Sequence, residues 1–254
     1  GPGLVAGTGQ PASRLFIGGG FAYVTYADGF RVFDLSDPDS PVERTTGSDT
    51  QLGWRQLAAN GSGLGVAAVG LTQVSNAEIQ LYDLRDPARN TQFVSRTVLP
   101  TSAQSVALHH GQAYIATGAG GLQVLNYLDP DLGTNAPTVS LSTSASGTPP
   151  GIESGYWVSF TAAAADDLQV REVEFFVDGV RVAADGSFPF EHAFFAPART
   201  ADRTQIRVQA RAADMAGNRR WSEELVVNLL SDQTPPRARP LAPSIHGFVV
   251  SPTQ

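Results

Sequence analysis

Phe30-Arg31-Val32-Phe33-Asp34-Leu35-Ser36-Asp37-Pro38 is a phrase that the chain repeats twice more. The second copy is Ile79-Gln80-Leu81-Tyr82-Asp83-Leu84-Arg85-Asp86-Pro87, and the third is Leu122-Gln123-Val124-Leu125-Asn126-Tyr127-Leu128-Asp129-Pro130. Aligned on Asp-Pro, the copies are spaced by 49 and 43 residues. A period of about 40–50 residues built from short strands is the sequence signature of a β-propeller blade.

Each copy sits in the same strand grammar. In the first, Arg14–Ile17 stops at Gly18-Gly19-Gly20, Ala22–Tyr26 follows, and Asp28-Gly29 turns the chain into Phe30–Leu35. Val42–Thr46 supplies an outer strand. The equivalents in the second are Gln56–Ala59, Gly65–Val69, Ile79–Leu84 and Gln92–Leu99, with Thr72–Ala77 as a longer hairpin loop. In the third, Val106–Leu108 precedes His109-His110-Gly111, and Ala113–Thr117 leads through Gly118–Gly121 into the phrase. Asp-Pro ends each phrase for a mechanical reason. Proline cannot donate to a ladder, and the preceding Asp can accept from its own backbone two residues on. A metal role for Asp34, Asp37 and Asp39 is the lesser reading, because the third copy has Asn126 at the position of Asp34.

The chain has 254 residues, enough for one large domain or two ordinary ones. Only 16% are charged, against about 25% in an average globular protein, and 26 Gly and 17 Pro punctuate the sequence. All 17 basic residues are Arg, the net charge is −7, and Arg219-Arg220 is the one basic pair. A nucleic-acid partner is therefore not expected. No apolar run reaches the roughly 18 residues of a spanning helix, so membrane insertion is not expected either. Cysteine is absent, which excludes disulfides and thiolate metal sites. Gly1-Pro2-Gly3 reads as the remnant of a cleaved tag.

The stretch from Ala22 to Val42 resembles the LVIVD-type repeat of bacterial and archaeal propeller proteins. The third copy resembles it fairly and the second more loosely. The resemblance covers about half the chain and implies a propeller-like fold in a surface or extracellular setting, with no agreed activity. A closed propeller takes about four to eight blades, and three do not close. The preferred expectation is that the chain is the tail of a longer propeller. Completion by other chains and a non-propeller packing are the alternatives.

Composition changes at Gly133–Pro137, and short alternating strands follow: Val139–Thr143, Tyr156–Ala163, Val170–Val177, Val180–Ala184, Phe188–Phe194, Gln205–Ala212 and Ser222–Leu229. This spacing reads as a β-sandwich. Val173, Phe175 and Val177 face one way; Glu172, Glu174 and Phe176 face the other. Ala165–Gly179 and Ala213-Asp214-Met215-Ala216-Gly217-Asn218 resemble the two core motifs of bacterial immunoglobulin-like domains. The expected architecture is all-β, with three four-stranded propeller-like blades and an immunoglobulin-like sandwich. The blades span 4–133, the sandwich 134–231, and 232–254 is a linker or the start of a following domain.

Asp166, Asp167, Asp214 and Asn218 could form a hard-oxygen Ca²⁺ site. The preferred reading is that Asp166 and Asp214 shape turns by side-chain-to-backbone bonds. Adjacent His109-His110 would point to opposite faces of a strand and make a poor chelating pair, flanking the turn at Gly111 instead. Asn60-Gly61-Ser62 is a formal glycosylation sequon within a hairpin turn. No zincin, Walker or nucleophile-elbow pattern occurs, so no catalytic residue is assigned and no enzyme is expected.

The two resemblances imply a non-catalytic structural or binding region of a large secreted or cell-surface bacterial protein, used in adhesion, matrix or domain presentation. The alternative is an accessory module of an extracellular carbohydrate-active enzyme or toxin whose catalytic domain lies outside this chain. Expected partners are other domains of the same parent and protein or glycan surface ligands. No cofactor is expected beyond a structural Ca²⁺.

Overall fold

The computed structural model of the protein describes residues 11–45, 52–73, 76–89 and 93–232. Gly1-Pro2-Gly3, part of the Thr72–Ala77 loop and the tail from Gln233 lie outside the described residues. The architecture is all-β. The first sheet runs β1 (Arg14–Gly18), β2 (Phe21–Tyr26), β3 (Gly29–Asp34) and β4 (Val42–Glu43), in that order. The second runs β5 (Trp54–Ala59), β6 (Leu64–Val69), β7 (Glu78–Asp83) and β8 (Phe93–Val98). Both are antiparallel meanders. The loop between β2 and β3 is Ala27–Asp28, one residue earlier than the Asp28-Gly29 expectation, because Tyr26 pairs with Gly29.

The third sheet has three strands, not the expected four: β9 (Ser105–His109), β10 (Gln112–Ala116) and β11 (Leu122–Leu125). After Leu125 the chain does not fold back. Tyr127 and Leu128 instead pack against the core between the second and third sheets.

The three sheets stack face to face with one polarity. Phe16, Tyr23 and Val32 lie opposite one another and share a face with Phe30. That face packs on Leu57, Ala59 and Ala67 of the second sheet. The other face of the second sheet carries Ala58, Val66, Ala68, Ile79 and Leu81, which pack on Val106, Ala113 and Ile115 of the third. Burying side chains such as Phe30 and Val32 contributes about 1.5–3 kcal/mol each. The rings of Phe30, Trp54 and Tyr82 meet at centroid distances of 5.2–5.6 Å.

The sandwich contains β12 (Thr138–Thr143), β13 (Gly151–Glu153), β14 (Trp157–Ala165), β15 (Val170–Val177), β16 (Val180–Asp185), β17 (Phe190–Phe195), β18 (Gln205–Asp214), β19 (Arg219–Trp221) and β20 (Leu225–Leu230). One sheet is β12-β14-β17; the other is β13-β20-β18-β15-β16, with β19 paired to β18. The alternation expected in β15 holds: Val173, Phe175 and Val177 are buried with Phe160, Phe190, Ile206 and Val208. The strand expected over Ser222–Leu229 begins only at Leu225, and a further short strand, β19, precedes it. The buried Ser222 accepts from the Ala210 amide and donates to the Glu223 carbonyl, which interrupts the ladder after Trp221.

On the outer side of this sheet the Arg211 guanidinium lies over Phe176 and Trp221, at 5.3 and 5.0 Å. It also donates from Nε to the buried Glu174 at 2.7 Å. Arg211→Ala removes the stacking and leaves Glu174 to Arg181. A loss of roughly 2 kcal/mol is expected in urea unfolding, and Arg211→Lys restores less than half because the planar fork is absent.

Candidate functional site

Each of the three repeats turns between its first two strands, over two residues in the first and third and over a longer loop at residues 60–63 in the second, and all three turns meet the sandwich. Gly18 and Gly19 of the first turn and Gly61 of the second are covered by the Phe188 ring. At Gly61 an added Cβ would stand 2.6 Å from that ring, and the backbone has φ +81, so only glycine fits without strain. Phe188 packs against the sandwich core and against the core between the first two sheets, and it stacks on Phe16 at 6.3 Å. Ser62 of the second turn accepts from the Asp166 amide at 3.2 Å. In the third turn, the His110 amide donates to the Gly186 carbonyl at 2.8 Å, and His109 Nδ1 bonds Ser187 Oγ at 2.9 Å.

Gln169 completes the junction. Its amide donates to the Gly111 carbonyl at 3.1 Å and accepts from the Tyr127 hydroxyl at 2.5 Å. Burial pushes the Tyr127 hydroxyl up to about 12, so it remains a donor at any physiological pH. The His109 and His110 rings are stacked with centroids 4.1 Å apart rather than opposed. The reason is that His110 has left the strand, with φ 47.

Beside this contact lies an acidic group. Asp131, Asp166 and Asp214 each bring a carboxylate oxygen within 4.8 Å of the others. Asp131 Oδ1 accepts from the Gly133 amide at 2.8 Å, whereas Oδ2 is buried with no hydrogen-bond partner. Burial first, then the neighbouring Asp167 and Asp214 charges, push the Asp166 carboxyl up to about 6. A cavity of about 180 Å³ adjoins, lined by Gly111, Asn126, Asp131, Gln169 and Met215 among others. Asp131, Asp166 and Asp214 are the residues that could hold a hard cation; a proton on Asp166 is the competing way to relieve the repulsion.

Of the four residues nominated from sequence, Asp166 and Asp214 are brought into this group. Asp167 accepts instead from the Asn135 amide at 3.1 Å. Asn218 ties the segment down: its backbone and side-chain amides both donate to Asp214 at 2.8 Å, and Nδ2 also donates to the Gly133 carbonyl at 3.0 Å. The turn-shaping reading therefore describes the bonds of Asp214, and also those of Asp166, whose Oδ2 accepts from the Leu168 amide at 3.2 Å. Asp131 was missed. Its signal was the Asp-Pro-Asp of the third copy, which matches Asp37-Pro38-Asp39 of the first. In the other copies the Asp residues shape turns as expected: the Asp39 amide donates to Asp37 and the Ala88 amide to Asp86, at 3.1 and 3.0 Å. Asp34 is held by Arg44, whose hydrogen bonds draw its carboxyl down to about 2. Asn60 of the sequon is buried, and its Oδ1 accepts from the Ser62 and Leu64 amides.

Stacked repeat sheets joined to a sandwich define a modular all-β protein without a catalytic constellation among the described residues. In sequence the chain carries LVIVD repeats at residues 9–46 and 100–126, followed by a bacterial Ig domain at residues 137–210. No curated protein matches the chain. Among solved structures it is similar to the Clostridium thermocellum CbhA fibronectin(III)-like modules, at 20% identity and TM-score 0.32, over 36% of this chain and 94% of that one. It is also similar to PorZ, a bacterial surface component of the type-IX secretion system of Porphyromonas gingivalis, at 14% identity and TM-score 0.39, over 87% of this chain. The extracellular domain of BT4673 from B. thetaiotaomicron matches 87% of this chain at 11% identity and TM-score 0.32. The chain spans 31% of the length of each of the latter two.

The raised Asp166 carboxyl makes stability depend on pH. The folded state holds its proton up to about 6, whereas an unfolded Asp releases it near 3.8. The contribution is thus full below the lower value and is lost as pH rises through the upper one. In chelator-treated protein, Asp166→Asn should gain thermal stability relative to wild type as pH rises from 4 to 7, with the gap level above that (melting curves by circular dichroism).

Proposed function

We propose that this chain is a rigid, non-catalytic region of a secreted or cell-surface bacterial protein, in which the immunoglobulin-like sandwich is locked onto the repeat sheets. The observation that carries the reading is that loops at one end of the sandwich engage the turn between the first two strands in all three repeats. A spacer on a flexible tether would not need three glycine-lined contacts. LVIVD repeats and Ig-like domains are typically non-catalytic modules, and bacterial Ig domains support the extracellular setting. No helix among the described residues is long and apolar enough to cross a membrane. The role is to hold other parts of the parent, or a protein or glycan ligand, in fixed geometry for adhesion, matrix or presentation. The divisions at 133/134 and 231/232 belong to this proposal. Protease shaving of intact source cells tests the setting: peptides from residues 93–232 should be released from cells or found in the medium. Their recovery only from the cytosol would overturn it.

The acidic group adds a structural cation of the Ca²⁺ class to the reading. Support comes from the three converging carboxylates and the unpartnered Asp131 Oδ2. A cation at a hundred times its Kd would add about 2.7 kcal/mol. Ca²⁺ should therefore raise Tm by several degrees over chelator-treated protein at pH 7, and Asp131→Asn should abolish the rise. An unchanged Tm on adding Ca²⁺ contradicts the cation.

A further inference from the structure

The repeat sheets stack with a fixed polarity, and the stack has two unlike ends. Phe30 and Val32 of the first sheet are 2% and 1% exposed because the second sheet covers them. Ile79 and Leu81 hold the same places in the second phrase and are buried against the third sheet. Leu122 and Val124 hold those places in the third phrase, and they are 67% and 45% exposed. The register puts both on one face with Tyr114.

The opposite end repeats the observation from the other side. Leu57 of the second sheet and Val106 of the third occupy one position of the repeat, on the face that receives the preceding sheet, and both are buried. Leu15 occupies that position in the first sheet and is 56% exposed, with Ile17 two residues on at 52%. Among the described residues the chain therefore presents one uncovered donor face and one uncovered acceptor face of a contact that it already makes twice internally.

We propose that two copies of this chain close into a six-bladed ring, the Leu122/Val124 face of each packing on the Leu15/Ile17 face of the other. The occupant is a second copy because the two free faces are the two halves of the same repeated contact, and continuity with the internal stacking fixes how they meet. Three sheets from each copy give six, inside the range of about four to eight that closed propellers use. A head-to-tail contact made twice about a two-fold axis closes and leaves no free face. The donor face offers Leu122, Val124 and Tyr114, and the acceptor face offers Leu15, Ile17 and Val24 beside the Arg31–Glu43 ion pair.

Light scattering over a concentration series tests this directly. Wild type should reach a plateau at twice the 26.7 kDa chain mass. Leu122→Glu with Val124→Glu should give monomer, and Leu15→Glu with Ile17→Glu should also give monomer. All four positions are exposed, so both variants should keep the wild-type circular dichroism spectrum. Mixing the two variants should restore a dimer through the one contact that remains intact. A monomeric wild type at every concentration would overturn the ring, as would a dimer that survives the substitutions, masses that keep growing beyond two copies, or variants that fail to combine when mixed.

Discussion

The close approach of Phe188 to the glycines of two neighbouring repeats is the contact on which the rest depends. Phe188 is shared by the sandwich core and by the core between the first two sheets. It can be shared only because Gly18 and Gly61 offer no side chain where the ring lies. Around it, polar bonds from Ser62, His109, His110 and Gly111 fix the register of the sandwich against the second and third repeats. The apolar contact supplies the attraction, and the hydrogen bonds supply the direction. The consequence for function is geometric: what the sandwich carries is held at a set angle to what the repeats carry.

The same junction concentrates the chain's unusual electrostatics. Asp131 leaves the third repeat, Asp166 opens the connection from β14 to β15 between the two sandwich sheets, and Asp214 closes the longest strand. Bringing them within 4.8 Å opposes docking unless a proton or a cation joins them. Packing and charge therefore pull in opposite senses at one place, and solution conditions can tune the stiffness of the connection there.

Local features of the fold were legible in the sequence, and long-range ones were not. The phrase at Phe30, Ile79 and Leu122 marked a strand in every repeat, because alternation and the Asp-Pro stop act within a few residues. The inward set Val173, Phe175 and Val177 followed from the two-residue period. The fourth strand of the third sheet was inferred by analogy with the other copies. It failed because Tyr127 and Leu128, at the end of the phrase, pack against the core between the second and third sheets. Asp166 and Asp214 were nominated through their motifs, but Asp131, at the end of the third repeat, was not. The bond from the Asp166 amide to Ser62 spans 104 residues, and the bond from Gln169 to Gly111 spans 58. No periodicity reports contacts of that separation.

The central claim is that repeats and sandwich move as one body, and amide ¹⁵N relaxation measures this most directly. Amides of Val32 and Leu81 in the repeats and of Phe175 and Val208 in the sandwich should report a single rotational correlation time, that of the whole particle. Two distinct correlation times, with the sandwich tumbling faster than the repeats, would contradict the account.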